Sequence, residues 1–153
     1  MKGNKGITLI ALVITIIVLL ILAAVSIAML SGENSILRRG SQASAENQLG
    51  AANDAVSILV TETITDFYEK AYVNNNNTIL NNGLNAYLAS KIDKTAVEKA
   101  IDNGDIKVTT PAWDAANGDT AKDVFVLEIT DKRATYKSTG TVSNGKVTWK
   151  ITY

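Results

Sequence analysis

The feature that most constrains this chain is an apolar run over residues 7–30, which reads ITLIALVITIIVLLILAAVSIAML. Only Thr8, Thr15 and Ser26 interrupt it, and their hydroxyls can bond to carbonyls of the same helix. As a helix, the run would be about 36 Å long, which is enough to cross a hydrocarbon core of about 30 Å. A buried helix of a small soluble protein does not need to be apolar on every face. The run therefore predicts a membrane-spanning helix.

Three kinds of N-terminal segment contain such a run. A secretory signal peptide has an apolar core of about 7–15 residues followed by small residues at the cleavage site. Ala23, Ala24, Ser26 and Ala28 would supply those small residues, but the run is long for this class. A plain signal anchor fits the length. The third kind is indicated by the residues that precede the run.

The chain reads MKGNKGITLI at its start, so that a short basic leader ends in Gly6 and the apolar run follows at once. Glycine has no side chain to obstruct a protease, and Lys2 and Lys5 favour the cytoplasmic headgroups. This arrangement resembles the leader of type IV prepilins. The resemblance implies that a prepilin peptidase cuts between Gly6 and Ile7, and that the new terminal amine of Ile7 is methylated. The uncut helix then remains as anchor and assembly stem.

The resemblance also assigns roles to single residues. Lys5, Gly6 and Ile7 become the processing residues, and the assembly helix starts with Thr8, Leu9, Ile10 and Ala11. Most pilins have a glutamate at the position of Ala11, whose carboxylate is thought to neutralise the amine of a neighbouring subunit. The amine of Ile7 therefore lacks its usual partner. Some minor or tip subunits, and various pilin-like proteins of Gram-positive bacteria, also lack this glutamate.

Together, the pattern and the resemblance predict three segments. Residues 1–6 are a prepilin-type leader, residues 7–30 a transmembrane and assembly helix, and residues 31–153 an extracytoplasmic pilin-like head. Before assembly we expect a single pass through the inner or cytoplasmic membrane with the N-terminus in the cytoplasm. After assembly we expect a cell-surface filament. The implied partners are the same or other pilin-like subunits, the prepilin peptidase, membrane lipid and the pilus assembly platform.

Helical periodicity returns after an interruption at residues 31–34 and predicts an amphipathic helix over residues 35–72. Its apolar stripe, which we expect to pack on a sheet, contains Leu49, Ala52, Val56, Leu59, Thr63 and Phe67. Its opposite face carries Glu46, Asn47, Asp54, Glu62, Asp66 and Glu69. Two shorter helices are predicted over residues 79–92 and 95–101. Asp93 would cap the second, and Asn103-Gly104 would end it.

From residue 106 to residue 153 the apolar period changes to two, which predicts an antiparallel sheet. The expected strands cover residues 106–109, 124–130, 134–142 and 146–153, with Asn144-Gly145 as a hairpin turn. One face is apolar: Phe125, Leu127, Ile129, Val147, Trp149, Ile151 and Tyr153. Helix 35–72 is its natural cover. The predicted fold class is α+β, with a long N-terminal helix, half membrane-spanning and half amphipathic, packed on a C-terminal antiparallel sheet. The pilin resemblance implies the same architecture.

Composition excludes several kinds of chemistry. The chain has no His and no Cys, so His-based catalysis, Cys nucleophiles and disulfides are excluded, as are zinc sites built on these residues. Its formal net charge of +0 gives no indication of a nucleic-acid partner. A weak Ca²⁺ candidate is formed by Asp114, Asn117, Asp119 and Asp123, but their spacing does not match an EF-hand. The carboxylate pairs Asp102/Asp105 and Asp119/Asp123 are typical of solvated loops. We therefore expect no enzyme activity, no metal and no cofactor.

Two functions follow as hypotheses. The first is a structural subunit of a type IV pilus-like or pseudopilus filament that polymerises through its hydrophobic N-terminal helix. The alternative is a membrane-anchored surface domain for binding or adhesion that does not polymerise. Cleavage of the leader without filament assembly would favour the second.

Overall fold

The computed structural model describes residues 4–32, 35–109, 123–132, 134–143 and 145–153. They form an α+β chain, in which a long N-terminal helical region precedes an antiparallel sheet. The chain divides into two compact units, Met1–Ser41 and Gln42–Tyr153. The second unit is called the head.

Helix α1, Asn4–Ser31, contains the apolar run. Its large hydrophobic side chains are exposed along the whole helix, and no residue of its most apolar stretch is buried. The hydroxyls of Thr15 and Ser26 donate to the carbonyls of Ala11 and Leu22 at 2.6 and 2.7 Å, so neither hydroxyl proton interrupts the apolar surface. Among the described residues, α1 contains the helical stretch that is long and apolar enough to cross a membrane. The prediction of a long apolar helix over residues 7–30 is confirmed.

The second helix, α2, covers Ile36–Tyr68 and is continued by a π-helical segment, Glu69–Val73. The Ser35 hydroxyl accepts from the Arg38 amide at 3.2 Å and thereby caps the N-terminus of α2. The predicted helix over residues 35–72 is confirmed, and its buried positions recur every three or four residues. They are Ala45, Leu49, Ala52, Asn53, Val56, Val60, Thr63 and Phe67.

Two shorter helices follow, α3 at Asn77–Lys91 and α4 at Lys94–Ile101. The predicted helix over residues 79–92 is confirmed as α3, but it is kinked at Gly83, which has φ 81° and ψ 166°. Glycine adopts this backbone region without steric cost. Asp93 caps α4 as predicted, by accepting from the Ala96 amide at 2.8 Å. The helix ends on Asp102, which has a left-handed conformation, one residue before the expected Asn103-Gly104 stop.

The sheet is an antiparallel meander in the order β1-β2-β3-β4. Its strands are β1 Lys107–Thr109, β2 Asp123–Thr130, β3 Thr135–Ser143 and β4 Lys146–Thr152. Ser143 pairs with Lys146, so β3 and β4 are joined by the predicted two-residue turn, in which Gly145 has φ 73°. Asn144 itself lies outside the described residues. The antiparallel sheet predicted from the period-two pattern is confirmed.

The core of the head lies between α2 and one face of the sheet, and α3 and α4 add to it. Its fully buried side chains include Leu49, Val56 and Val60 of α2 and Phe125, Leu127 and Val142 of the sheet. Leu88, Ile92 and Val97 contribute from the helical region that follows. The prediction that helix 35–72 covers the apolar sheet face is confirmed for this part of the stripe.

Phe67, the last member of the predicted stripe, does not belong to this core. It forms a separate cluster with Ala71 and with Tyr87 of α3. The physical reason is length: 33 helical residues span about 50 Å, whereas strands of seven to nine residues span only about 23–30 Å. The end of α2 therefore packs on α3 instead of the sheet.

Trp149 of β4 determines how closely the side chains pack on the core face. Its ring lies over Gly140 of β3 and is centred 6.1 Å from the ring of Phe125 on β2. A Cβ atom on Gly140 would come within 2.4 Å of the Trp149 ring. The indole N–H donates to the Ser57 hydroxyl of α2 at 2.9 Å. Gly140 thus provides the space that lets Trp149 reach α2.

A buried hydrogen bond lies beside this contact. The Ser138 hydroxyl of β3 donates to the Asn53 side-chain oxygen of α2 at 2.8 Å, and both residues are buried. A buried polar group without a partner is costly, so this bond favours one register of α2 on the sheet.

Replacement of Gly140 by alanine tests this packing. Gly140→Ala should lower the free energy of unfolding by about 1–3 kcal/mol, because the new methyl group displaces the Trp149 ring. The measurement is urea unfolding of the full chain in detergent micelles, followed by tryptophan fluorescence.

Gly50→Ala is the matched control, since a Cβ atom there meets nothing within 4 Å. On α2 this change should raise stability by up to about 1 kcal/mol through helix propensity. Equal effects of the two substitutions would show that Trp149 does not depend on Gly140.

Candidate functional site

The candidate processing site lies in the first turns of α1. Lys5, Gly6 and Ile7 all follow Asn4, the first residue of that helix. A Cβ atom on Gly6 would meet nothing within 4 Å, and the Ile7 side chain is 70% exposed. The first four amides of a helix have no intrahelical acceptor, so a helix end frays more easily than the helix interior. The peptide bond between Gly6 and Ile7 is therefore uncrowded on both sides.

The start of the candidate assembly helix is apolar and has no acidic group. α1 has no Asp or Glu in its sequence, and Leu9 and Ile10 are exposed. Position 11 offers a methyl group, and the carbonyl of Ala11 accepts from the hydroxyl of Thr15. Thr8 also lies in this first part of α1. The helix thus presents a surface for lipid or for other apolar helices, without a carboxylate to pair with an amine.

The candidate Ca²⁺ loop cannot be assembled from the described residues. Asp114, Asn117 and Asp119 lie outside them, and Asp123 is described only by its backbone, as the first residue of β2. Within the described part of the chain, no group of three acidic, His or Cys side chains is placed to hold a metal ion.

The carboxylate pair Asp102/Asp105 lies in the exposed turn between α4 and β1. Asp102 ends α4, and the amide of Asp105 donates to the Asn103 side chain at 3.0 Å. These contacts shape the turn. The other pair, Asp119/Asp123, lies outside the described side chains.

One polar cluster that the sequence did not predict joins α2 to α3. Lys70 donates to Asp66 at 2.8 Å and to the Tyr87 hydroxyl at 3.1 Å, and that hydroxyl in turn donates to Asp66. The hydrogen bond from Lys70, with that from Tyr87, lowers the pKa of Asp66, and the same contacts raise the pKa of Lys70. The four-residue spacing of Asp66 and Lys70 is visible in the sequence, but the approach of Tyr87 from another helix is not.

A second polar cluster holds the end of the chain on α2. The Tyr153 hydroxyl donates to Glu46, which also accepts from Gln42 at 2.9 Å. The hydrogen bond from Tyr153, followed by that from Gln42, lowers the pKa of Glu46, and the bond to Glu46 raises the pKa of Tyr153. Tyr153 lies on the predicted face of β4, because it contacts Glu46 of α2 and the buried Tyr136, although it remains 69% exposed. The residue follows Thr152, the last residue of β4, and its ring lies edge-on to the ring of Tyr136 on β3, with the centroids 6.1 Å apart.

Both clusters connect elements of the head to one another. Comparisons with protein-family models, with curated proteins and with solved structures found no match to this chain. A functional proposal therefore depends on the chain's own residues and geometry.

The Asp66 cluster makes stability depend on pH in a defined direction. Because folding lowers the pKa of Asp66 from 3.8, the ionised carboxylate stabilises the folded state above that pH. The contribution is lost as the pH falls through the lowered pKa. Asp66→Asn should therefore destabilise the chain near neutral pH and have little effect in strong acid. Urea unfolding of both proteins across this pH range measures the difference.

Asp54→Asn is the control, because Asp54 is exposed on the same helix and has no ion-pair partner among the described residues. It should show no comparable change with pH. A stability loss for Asp66→Asn that is constant from neutral pH to strong acid would contradict the assigned contacts.

Proposed function

We propose that this chain is a structural subunit of a type IV pilus-like or pseudopilus filament, anchored in a membrane by α1 before assembly and polymerising through α1. The observation that carries the proposal is the exposure of every large hydrophobic side chain between Ile7 and Leu30. Such a surface requires lipid or other apolar helices around it. A filament whose centre is made of packed α1 helices meets that requirement after the subunit leaves the membrane.

Small residues of α1 provide a physical basis for packing between α1 helices. Helices in lipid gain little from the hydrophobic effect when they associate, so close backbone approach and van der Waals contact are needed. Ala24, Ala28 and Gly32 recur every four residues, and Val25 and Met29 flank them along an apolar groove. This spacing allows neighbouring helices to approach closely.

The residues around Gly6 support processing by a prepilin peptidase. Lys5 and Gly6 precede Ile7, and Lys2 adds a second positive charge that favours a cytoplasmic N-terminus. Cleavage after Gly6 would leave Ile7 as the methylated N-terminus, with the head outside the cytoplasm. A helix that leads into a helix-covered antiparallel sheet is the architecture expected for such a subunit.

The alternative is a surface binding or adhesion domain that is anchored by α1 and does not polymerise. The absence of any carboxylate in α1 favours it, because a charged amine at Ile7 would enter an apolar bundle without a counter-charge. Cleavage at Gly6 combined with absence of filaments in the native host would decide for this alternative.

Processing is tested at the cleavage position. Gly6→Val should block cleavage, because it places a β-branched side chain next to the bond to be cut. Gly3→Val adds the same side chain within the leader but away from the bond, and cleavage should continue. Mass spectrometry of the N-terminus of host-derived protein measures both. An intact Met1 or Lys2 terminus in the unsubstituted protein would refute the proposal, and a terminus after Ala24–Ala28 would identify a secretory signal peptide.

Assembly is tested at Ala11. Ala11→Glu should increase the filament yield, because the new carboxylate can pair with the amine of a neighbouring Ile7 in a low-dielectric environment. Ala11→Gln is the matched control, with a side chain of the same length and no charge. The readout is sheared filament mass from the host, normalised to cleaved subunit. If Ala11→Glu is cleaved normally and the yield falls or stays constant, the amine is already satisfied in another way.

A further inference from the structure

Two faces of the head carry charges of opposite sign. The first lies on α2 and on the π-helical segment that continues it. Asp54, Glu62 and Glu69 are exposed there, and the sequence contains no Lys or Arg from residue 40 to residue 69. None of these three carboxylates has an ion-pair partner among the described residues. Together with Ile58, they are called the acidic face.

The acidic face has a regular spacing. Asp54 and Glu62 are two helical turns apart, or about 12 Å along the axis, and Ile58 lies midway between them. Ile58 is 58% exposed, although the positions around it on the other side of the helix are buried. The face therefore presents an apolar side chain between two carboxylates.

The second face is the side of the sheet that points away from α2. It carries Lys107, Lys137, Lys146 and Lys150, all exposed, and is called the lysine face. Its described acidic residue, Glu128, is paired with Lys137 at 2.8 Å, and that hydrogen bond holds the pKa of Glu128 below its usual value. The other positions are mostly threonines: Thr109, Thr130, Thr135, Thr139, Thr141, Thr148 and Thr152.

Spacing on the lysine face matches that of the acidic face. Lys146 and Lys150 lie four residues apart on β4, or about 13 Å, and both point to the same side of the sheet. Thr148 lies midway between them. Two lysines flanking a threonine methyl group thus complement two carboxylates flanking Ile58, in either direction of approach.

We propose that the acidic face of one copy docks on the lysine face of the next copy. This inference rests on the proposed function, which brings many copies side by side. Each face repels itself, so a symmetric pair is disfavoured and contact joins unlike faces. A contact between unlike faces leaves one free face of each kind and therefore continues to further copies, in a ring or an open chain, instead of ending at a dimer.

Docking of this kind is weak for a single pair of heads and becomes effective at high local concentration. Exposed ion pairs contribute about 0–1 kcal/mol each, and a Debye length of about 8 Å at physiological salt screens their attraction. Tethering by α1 in one membrane or filament raises the effective concentration of neighbouring heads. We therefore expect the contact to set the register of neighbouring copies and to weaken as salt is added.

The absence of cysteine provides a clean test, because introduced cysteines are the only thiols in the chain. Full-length chains with Ile58→Cys and full-length chains with Thr148→Cys are reconstituted together in lipid vesicles and oxidised. Docking places the two introduced thiols close enough for a disulfide. The mixed disulfide should exceed each same-type disulfide by about tenfold at low salt, and should decline at high salt.

Charge reversal then identifies the faces. The pair Asp54→Lys/Glu62→Lys, present in every chain, should lower the yield of mixed disulfide by about tenfold, and so should the pair Lys146→Glu/Lys150→Glu. In a further mixture, the Ile58→Cys chain carries Asp54→Lys/Glu62→Lys and the Thr148→Cys chain carries Lys146→Glu/Lys150→Glu. The yield of mixed disulfide should be restored, because the two contacting faces again have opposite charges. Lys94→Glu/Lys99→Glu on α4 changes the net charge by the same amount as the lysine reversal, lies on neither face, and should leave the yield unchanged.

Each remaining outcome overturns the proposal. Predominant disulfides between two Ile58→Cys chains would show a symmetric contact. A loss caused by the lysine reversal alone would assign the lysine face to a separate anionic partner. A yield that neither reversal changes, or that stays low in the mixture of reversed chains, would show that these faces do not meet. The lysines of β4 would then serve only to prevent edge-to-edge strand pairing.

Two controls keep the result decisive. Thermal unfolding identifies any reversed chain that is less stable than its parent. Such a reversal is then replaced by the neutral pair Asp54→Asn/Glu62→Gln or Lys146→Gln/Lys150→Gln, which should cause a smaller loss of mixed disulfide. Failure of the docking proposal appears as low disulfide yield in vesicles, which requires no processing. Failure of the proposed function appears separately, as an uncut leader in the native host.

Discussion

Burial of one face of α2 against the sheet is the interaction on which the head depends. The chain has no cysteine and hence no disulfide, so packing must supply its stability. Full burial of a Leu, Val or Phe side chain contributes about 1.5–3 kcal/mol, and Leu49, Val56 and Phe125 are fully buried. Apolar packing is tolerant of small shifts, whereas the buried bond between Asn53 and Ser138 and the close approach of Trp149 to Gly140 are not. These contacts select one register.

The two units of the chain meet different physical requirements. α1 is apolar on all sides, so its contacts with lipid or with other helices are strong in sum but carry little directional information. In the head, the side of α2 that points away from the sheet carries carboxylates, and the side of the sheet that points away from α2 carries lysines. In the filament we propose, α1 would supply the contact area and the heads would supply the register.

Much of the fold follows from local patterns in the sequence. The three-to-four-residue spacing through Leu49 and Val56 predicted α2, and the alternation through Phe125 and Trp149 predicted the sheet and its covered face. The sequence pattern did not predict features that depend on a single residue or on a contact between distant positions. Gly83 divides α3, although the apolar positions around it keep a helical period. Phe67 continues the stripe of α2 in sequence but packs on Tyr87, because the helix is longer than the sheet.

The sequence by itself determined the apolar helix, the amphipathic helix, the strand pattern and the basic leader ending in Gly6, because each depends on residues adjacent in the chain or one to two turns apart. It did not reveal the cluster of Asp66, Lys70 and Tyr87, nor the contact of Tyr153 with Glu46. These features join positions far apart in the chain, and their distances exist only after the chain has packed.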